Sequence, residues 1–258
     1  MTPPRDVIAD ALRRAAAGGT PALVGFVTAG FPDRASFASQ LAEVAAAADV
    51  VEIGVPFSDP MADGLTIQRS SRGALEQGVT LAWILEMLAA LTPRPRAPLV
   101  LMSYLNPLLA YGLHRLPAEA CAAGVCGFIV PDLPWEESAE LRAALQREGL
   151  ALVQLVTPLT PAARLAMLAR QSQGFVYAVT ATGTTGREVA IPDDVLDYLD
   201  RVRAVSELPV CAGFGIRHAA QVERLAGHAD GVIVGSALVD VIGQGGDAAA
   251  FLKGLRAA

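Results

Sequence analysis

The sequence predicts one α/β domain, a closed (β/α)8 TIM barrel with an extra helix ahead of the first strand. Eight short runs rich in Val, Ile, Leu and Phe recur along the 258 residues. Their nearly continuous apolar character, without alternation, is what a parallel strand covered on both faces requires. Each run is followed by a helical pattern. An open doubly wound sheet could use the same alternation, but eight regular units in a chain of this length suit a closed barrel better.

The elements follow in order. Pro3 to Ala17 reads as the extra helix, placed to cover the barrel bottom. The first strand is Pro21 to Thr28, with a helix from Arg34 to Ala47; the second is Asp49 to Ile53, with helices Ile67 to Gln77 and Leu81 to Leu91. The third, Pro98 to Tyr104, leads to Pro117 to Ala123, and the fourth, Gly127 to Val130, to Trp135 to Glu148. Ala151 to Val156 precedes Ala162 to Arg170, and Phe175 to Thr180 precedes Asp193 to Ser206. Pro209 to Phe214 is followed by His218 to Ala226, and Gly231 to Val234 by Ala248 to Leu255. Pro134, Pro161 and Pro192 fall near first helical turns, where a missing N–H costs little. No linker interrupts the series, so residues 1–258 read as a single domain.

Charge excludes one class of partner. A net charge of −6 with a single lysine, Lys253, argues against nucleic acid, whose binding needs a basic surface. Small anions remain possible, because backbone N–H groups bind phosphate. The N-terminal MTPPRDVIADALRR carries charges where a signal peptide needs an apolar stretch, and no apolar run is long enough to span a bilayer. A cytoplasmic protein without membrane contact is expected. Cys121, Cys126 and Cys211 are odd in number and lack metal-ligand spacing, so they read as buried free thiols. His114, His218 and His228 are too scattered to hold a metal, and no metal or other cofactor is expected.

In such barrels the chemistry sits on the loops at the strand C-termini. Glu52 ends an apolar strand and Asp63 lies on the loop after it. Burial favours the neutral form of a carboxyl and raises its pKa, while a loop carboxylate nearer water can stay ionised. Glu52 therefore reads as a proton carrier and Asp63 as a fixed charge. A phosphate site is expected from GFGIR at Gly213 to Arg217 and GVIVGSA at Gly231 to Ala237, where a helix starting at Gly235 would aim N–H donors at the anion. The TGTTG segment, with Gly183 to Gly186, could complete that cradle; the plainer reading is that these glycines only make tight turns. Lys253 lies away from any strand end, so a Schiff-base mechanism lacks its amine. Proton transfer by carboxylates, on a substrate that supplies its own electron sink, remains.

The chain also resembles a particular family, the tryptophan synthase alpha subunits, over nearly its whole length. The resemblance rests on GFVTAGFPD (Gly25 to Asp33), VEIGVPFSDPMADG (Val51 to Gly64), MSYLNP (Met102 to Pro107) and GFIVPDLPWEES (Gly127 to Ser138). TGTTG, GFGI and GVIVGSA follow in the family's order. It implies retro-aldol cleavage of indole-3-glycerol phosphate to indole and glyceraldehyde 3-phosphate. Glu52 would be the acid-base residue and Asp63 the carboxylate on the indole N–H. By the same resemblance Phe26, Tyr177 and Phe214 would line the aromatic pocket, Thr185 would orient Asp63, and Gly186, Gly215, Gly235 and Ser236 would hold the phosphate. For Phe26 and Phe214 simple core packing is an equal reading.

The family partner is a pyridoxal-phosphate beta subunit, in an alpha2beta2 complex, that consumes the indole. Pro56, Asp59, Asn106, Pro107, Asp132 and Pro134 match its partner-facing loops, although Pro and Asp punctuate loops in any case. Leu65 stands where the family usually has proline, Thr180 where it has serine, and Thr184 where it has valine. A stand-alone lyase releasing free indole, a silent activating subunit and another sugar-phosphate isomerase are the rival readings.

Overall fold

A computed structural model of the chain describes residues 2–180, 191–213 and 215–256. Its eight strands are β1 (Ala22–Thr28), β2 (Val50–Gly54), β3 (Leu99–Met102), β4 (Val125–Ile129), β5 (Ala151–Val156), β6 (Val176–Val179), β7 (Val210–Gly213) and β8 (Gly231–Val234). They close into a barrel in chain order. Closure is made by β1 pairing in parallel with β8, Ala22 opposite Gly231 and Gly25 opposite Val234. The expected (β/α)8 barrel is the observed one.

Around it run α1 (Pro4–Ala16), α2 (Phe37–Ala47), α3 (Leu65–Glu76), α4 (Leu81–Ala90), α5 (Leu105–Tyr111) and α6 (Leu116–Ala122). They continue with α7 (Ala139–Arg147), α8 (Ala162–Gln171), α9 (Asp193–Val205), α10 (Ala219–Leu225), α11 (Ser236–Gly243) and α12 (Ala248–Arg256). Among the described residues no helix is long and apolar enough to cross a membrane.

Strand residues feed two cores. Leu23, Val51, Leu101, Leu152 and Val232 point outward into the layer shared with the helices. Val24, Val50, Val100, Val153 and Ile233 fill the barrel interior. Ile8 and Leu12 of α1, both at 0% exposure, join that inner core, so the N-terminal helix plugs the lower end as expected. Burial of each such side chain contributes about 1.5–3 kcal/mol relative to exposure.

Several boundaries differ from the sequence reading, each for a local reason. The second helix begins at Phe37 rather than Arg34. Asp33 Oδ1 accepts from Ala35 N at 3.2 Å and Asp33 O from Ser36 Oγ at 3.1 Å, a turn that competes with the helix. The segment from Trp135 splits into a 3-10 turn, Trp135–Glu137, and α7. There the Ser138 hydroxyl donates to Trp135 O at 2.7 Å. The fourth strand starts at Val125, two residues before the expected Gly127, with a register shift at Leu99/Val100. Helix α5 was not expected at all. Pro107 sits in its first turn, where proline is tolerated. Asp132, from the loop after β4, accepts from Leu105 N at 2.9 Å and so holds its start.

Candidate active site

Above the packed layers the inward row changes character. Glu52 stands opposite Phe26 on β1 and Val100 on β3, and it points into the barrel because inward positions alternate along β2. Phe26, Glu52, Met102, Leu155, Tyr177 and Ile233 form the floor of a cavity of about 570 Å³, whose rim includes Ala62, Asp63, Gly64, Gly215, Gly235 and Ser236. Seven of the sequence-predicted site residues therefore share one space: Glu52, Asp63, Phe26, Tyr177, Gly215, Gly235 and Ser236. Thr185, Gly186 and Phe214 lie outside the described residues, as does the whole TGTTG segment. A depression of about 600 Å³ on the opposite face, between α1 and α9, is walled by Arg13, Arg203 and Asp230. Its two arginines are already engaged: Arg13 donates to Glu207 O at 3.0 Å and Arg203 pairs with Asp230 at 3.5 Å.

Glu52 is 1% exposed, and neither of its carboxyl oxygens has a hydrogen-bond partner among the described residues. Burial, and secondarily the charge of Asp63, push its pKa from 4.5 up to about 8. The carboxyl is thus a proton holder at neutral pH. Asp63 is half-buried rather than a water-facing loop carboxylate. Burial raises its pKa, and a hydrogen bond from the Tyr104 hydroxyl draws it back down. One face of the cavity therefore favours a neutral carboxyl, and the other supplies a donor that favours an anion.

Tyr104 is the functional side chain that the sequence reading passed over. It follows β3, its hydroxyl accepts from Ala62 N at 2.9 Å, and it donates to Asp63. Burial, with the neighbouring Asp63 and Asp132 charges, pushes this phenol up to about 12, so it stays a donor. Phe57 packs against it with ring centroids 5.2 Å apart. The signal is present in MSYLNP: a tyrosine at a strand's C-terminal end needs a polar partner for its hydroxyl.

Two glycines make room for the aromatic floor. A Cβ on Gly54 would meet Phe26 Cζ at 2.5 Å. Tyr177 is likewise enabled by Gly213 on the neighbouring strand, and burial, then the nearby Glu52, holds its phenol far above the ordinary range. Phe26, at 6% exposure, is both core and cavity wall, so the two readings offered for it coexist.

The anion-binding expectation has its local parts. Helix α11 starts at Ser236 with Gly235 as its preceding cap residue, and both line the cavity. The helix's N-terminal N–H groups and positive dipole end thus adjoin the cavity. Thr180 closes the neighbouring corner, its hydroxyl donating to Gly213 O at 2.9 Å. Leu65 is 76% exposed in the first turn of α3, the place a proline would fit; the helix forms without one.

Of the expected partner-facing residues, Asp59, Asn106 and Pro134 are exposed and Pro107 is half-buried. Pro56 is buried within the chain, and Asp132 is engaged in holding α5. The cysteines are free; Cys211 is buried, while Cys121 and Cys126 are only partly so.

Known proteins share much of this sequence and its shape. The family model described as tryptophan synthase alpha chain matches residues 12–254. The tryptophan synthase alpha chain of Nitratidesulfovibrio vulgaris (strain DP4) is 49% identical over 243 residues, covering 94% of this chain and 95% of that one. The tryptophan synthase subunit alpha of Legionella pneumophila strain Paris superposes with a TM-score of 0.87 at 30% identity, covering 99% and 98% of the two chains. A chain of the tryptophan synthase α2β2 complex from Pyrococcus furiosus, a structure concerned with mutual activation, superposes with a TM-score of 0.85 at 37% identity over 92% and 98%.

Proposed function

The chain belongs to the tryptophan synthase alpha chain family, and from that membership we propose that it cleaves indole-3-glycerol phosphate to indole and glyceraldehyde 3-phosphate in tryptophan biosynthesis. The observation that carries the reading is Glu52, an unpaired buried carboxyl with its pKa near 8 in a cavity shared with Asp63.

The chemistry follows from those two groups. Protonated Glu52 gives its proton to indole C3, which places a positive charge on the ring nitrogen. The bond between C3 and the side-chain carbinol carbon then breaks, its electrons restoring the aromatic ring. The carbinol hydroxyl becomes the aldehyde and surrenders its proton to the Glu52 carboxylate, which closes the cycle. Asp63, whose pKa Tyr104 lowers against the opposing effect of burial, accepts in its ionised form from the indole N–H and stabilises the transient cation. Gly215, Gly235 and Ser236 hold the phosphate at the far rim, and Phe26 and Tyr177 flank the indole.

A beta subunit is the proposed partner, as in the α2β2 complex of Pyrococcus furiosus, and it would consume the indole released here. The exposed Asp59, Asn106 and Pro134 would face it. Three free thiols suit the reducing cytoplasm. Indole release from indole-3-glycerol phosphate, measured with and without a beta subunit, tests the proposal. The expected result is slow release by the chain alone and faster release on titration with the subunit. No indole under either condition would refute the lyase; vigorous turnover alone, unchanged by the subunit, would refute the partner.

A further inference from the structure

One carboxylate outside the cavity joins its two working ends. Asp240 of α11, one turn on from Ser236, accepts a hydrogen bond from Thr66 Oγ1 at 3.1 Å and another from the Arg217 guanidinium at 3.2 Å. Arg69 of α3 lies 3.9 Å from it. The Asp240 side chain is 25% exposed, so these contacts are only partly screened by water. None of Thr66, Arg217 and Asp240 lines the cavity.

Each contact leads to a different part of the site. Thr66 belongs to the first turn of α3, where Gln68 Nε2 donates to Asp63 O at 2.8 Å and Gln68 N to Gly64 O at 3.0 Å. That turn sets where the Asp63 loop ends. Arg217 lies just beyond Gly215 on the phosphate rim, its own N–H donated to Gln221 Oε1 at 2.8 Å. Asp240 itself rides on the helix whose first residue, Ser236, faces the expected anion.

We propose that Asp240 is a positioning residue which couples an anion at the phosphate rim to the placement of Asp63. An anion seated against Gly215, Gly235 and Ser236 fixes both the start of α11 and the segment carrying Arg217. Through Asp240 and Thr66 the same event holds the first turn of α3, and Asp63 with it, in the position that receives the indole N–H. The inference rests on the lyase reading and adds a regulatory link within that site.

The test divides the substrate in two. Cleavage of phosphate-free indole-3-glycerol is measured with and without added phosphite dianion, on the full chain with a saturating beta subunit. In the unaltered chain phosphite accelerates cleavage. In Asp240→Asn the acceleration falls about ten-fold further than the rate without phosphite does. Asp240→Glu recovers part of it, and Thr66→Val lowers it without adding to Asp240→Asn in the double variant. If Asp240→Asn does not fold by circular dichroism, the near-isosteric Thr66→Val carries the measurement. A proportional loss of both rates, or no phosphite effect in the unaltered chain, overturns the coupling. Cleavage of intact indole-3-glycerol phosphate by the unaltered chain is the control: its failure sinks the lyase reading instead.

Discussion

Tyr177 lies across Gly213: a Cβ on that glycine would meet Tyr177 Cε1 at 2.5 Å and its hydroxyl oxygen at 2.9 Å. The two residues sit on neighbouring strands, with Val179 rather than Tyr177 directly opposite Gly213, so the ring leans diagonally over the bare backbone. Gly213→Ala should therefore push the phenol into the cavity. We expect kcat/KM to fall about ten-fold or more with the fold intact, since contacts this short force side chains off their rotamers at a cost of about 1–3 kcal/mol. Combining it with Tyr177→Val should return part of the loss. A double variant no better than Gly213→Ala would show that the steric relationship is not the cause.

Glu52→Gln keeps the side-chain shape and removes the titratable proton. The expected loss in kcat is about 10²–10⁴-fold, with substrate affinity largely kept. Equilibrium binding of substrate beside single-turnover cleavage separates the two quantities. Substantial turnover by the variant would move the proton transfer to another group.

The same variant should change how stability responds to pH. Between 4.5 and about 8 the folded chain holds a proton on Glu52 that the unfolded chain has released. This contribution is complete below the lower value and is lost as pH rises through the upper one, with a slope of about 1.4 kcal/mol per unit in between. Glu52→Gln escapes that loss. Its Tm should exceed that of the unaltered chain near pH 8, by a margin that shrinks towards about pH 5. Equal melting curves at both ends would contradict a neutral Glu52.

The pH profile of kcat/KM should be bell-shaped. Cleavage needs Glu52 protonated, so the rate declines above about 8. It also needs Asp63 ionised, and because burial raises that carboxyl the acid limb lies above the ordinary 3.8. Tyr104→Phe removes the donor that lowers the Asp63 pKa, so the acid limb should move to still higher pH. A loss of about ten-fold in kcat/KM near neutrality is expected from deleting a hydrogen bond to a charged group. An unmoved acid limb would detach Tyr104 from Asp63.

What was legible in the sequence was whatever depends on short-range pattern. Continuous apolar runs such as Ala151 to Val156 mark buried parallel strands, and a carboxylate closing such a run, Glu52, marks itself as desolvated. Features set by distant parts of the chain were not legible. Helix α5 is held at its start by Asp132, which belongs to the next βα unit, so no window around NPLLAY contains the reason for its helix. Asp63 looked solvated because it sits on a loop; the Tyr104 hydroxyl that bears on it comes from beyond β3. Pro56 matched a partner-facing motif, yet folding turns it inward, a fact visible only once β2 is placed among its neighbours. Gly213 could be read as a turn former; its service to Tyr177 needs two strands side by side.

With Ile8 and Leu12 driven into the lower end, the barrel is, among the described residues, a well closed at its base. On the proposed chemistry both fragments must leave by the mouth through which the parent molecule came. The triose phosphate is water-soluble and disperses, whereas the aromatic fragment is oily and gains nothing by escaping. A protein seated over that mouth would decide where it goes next.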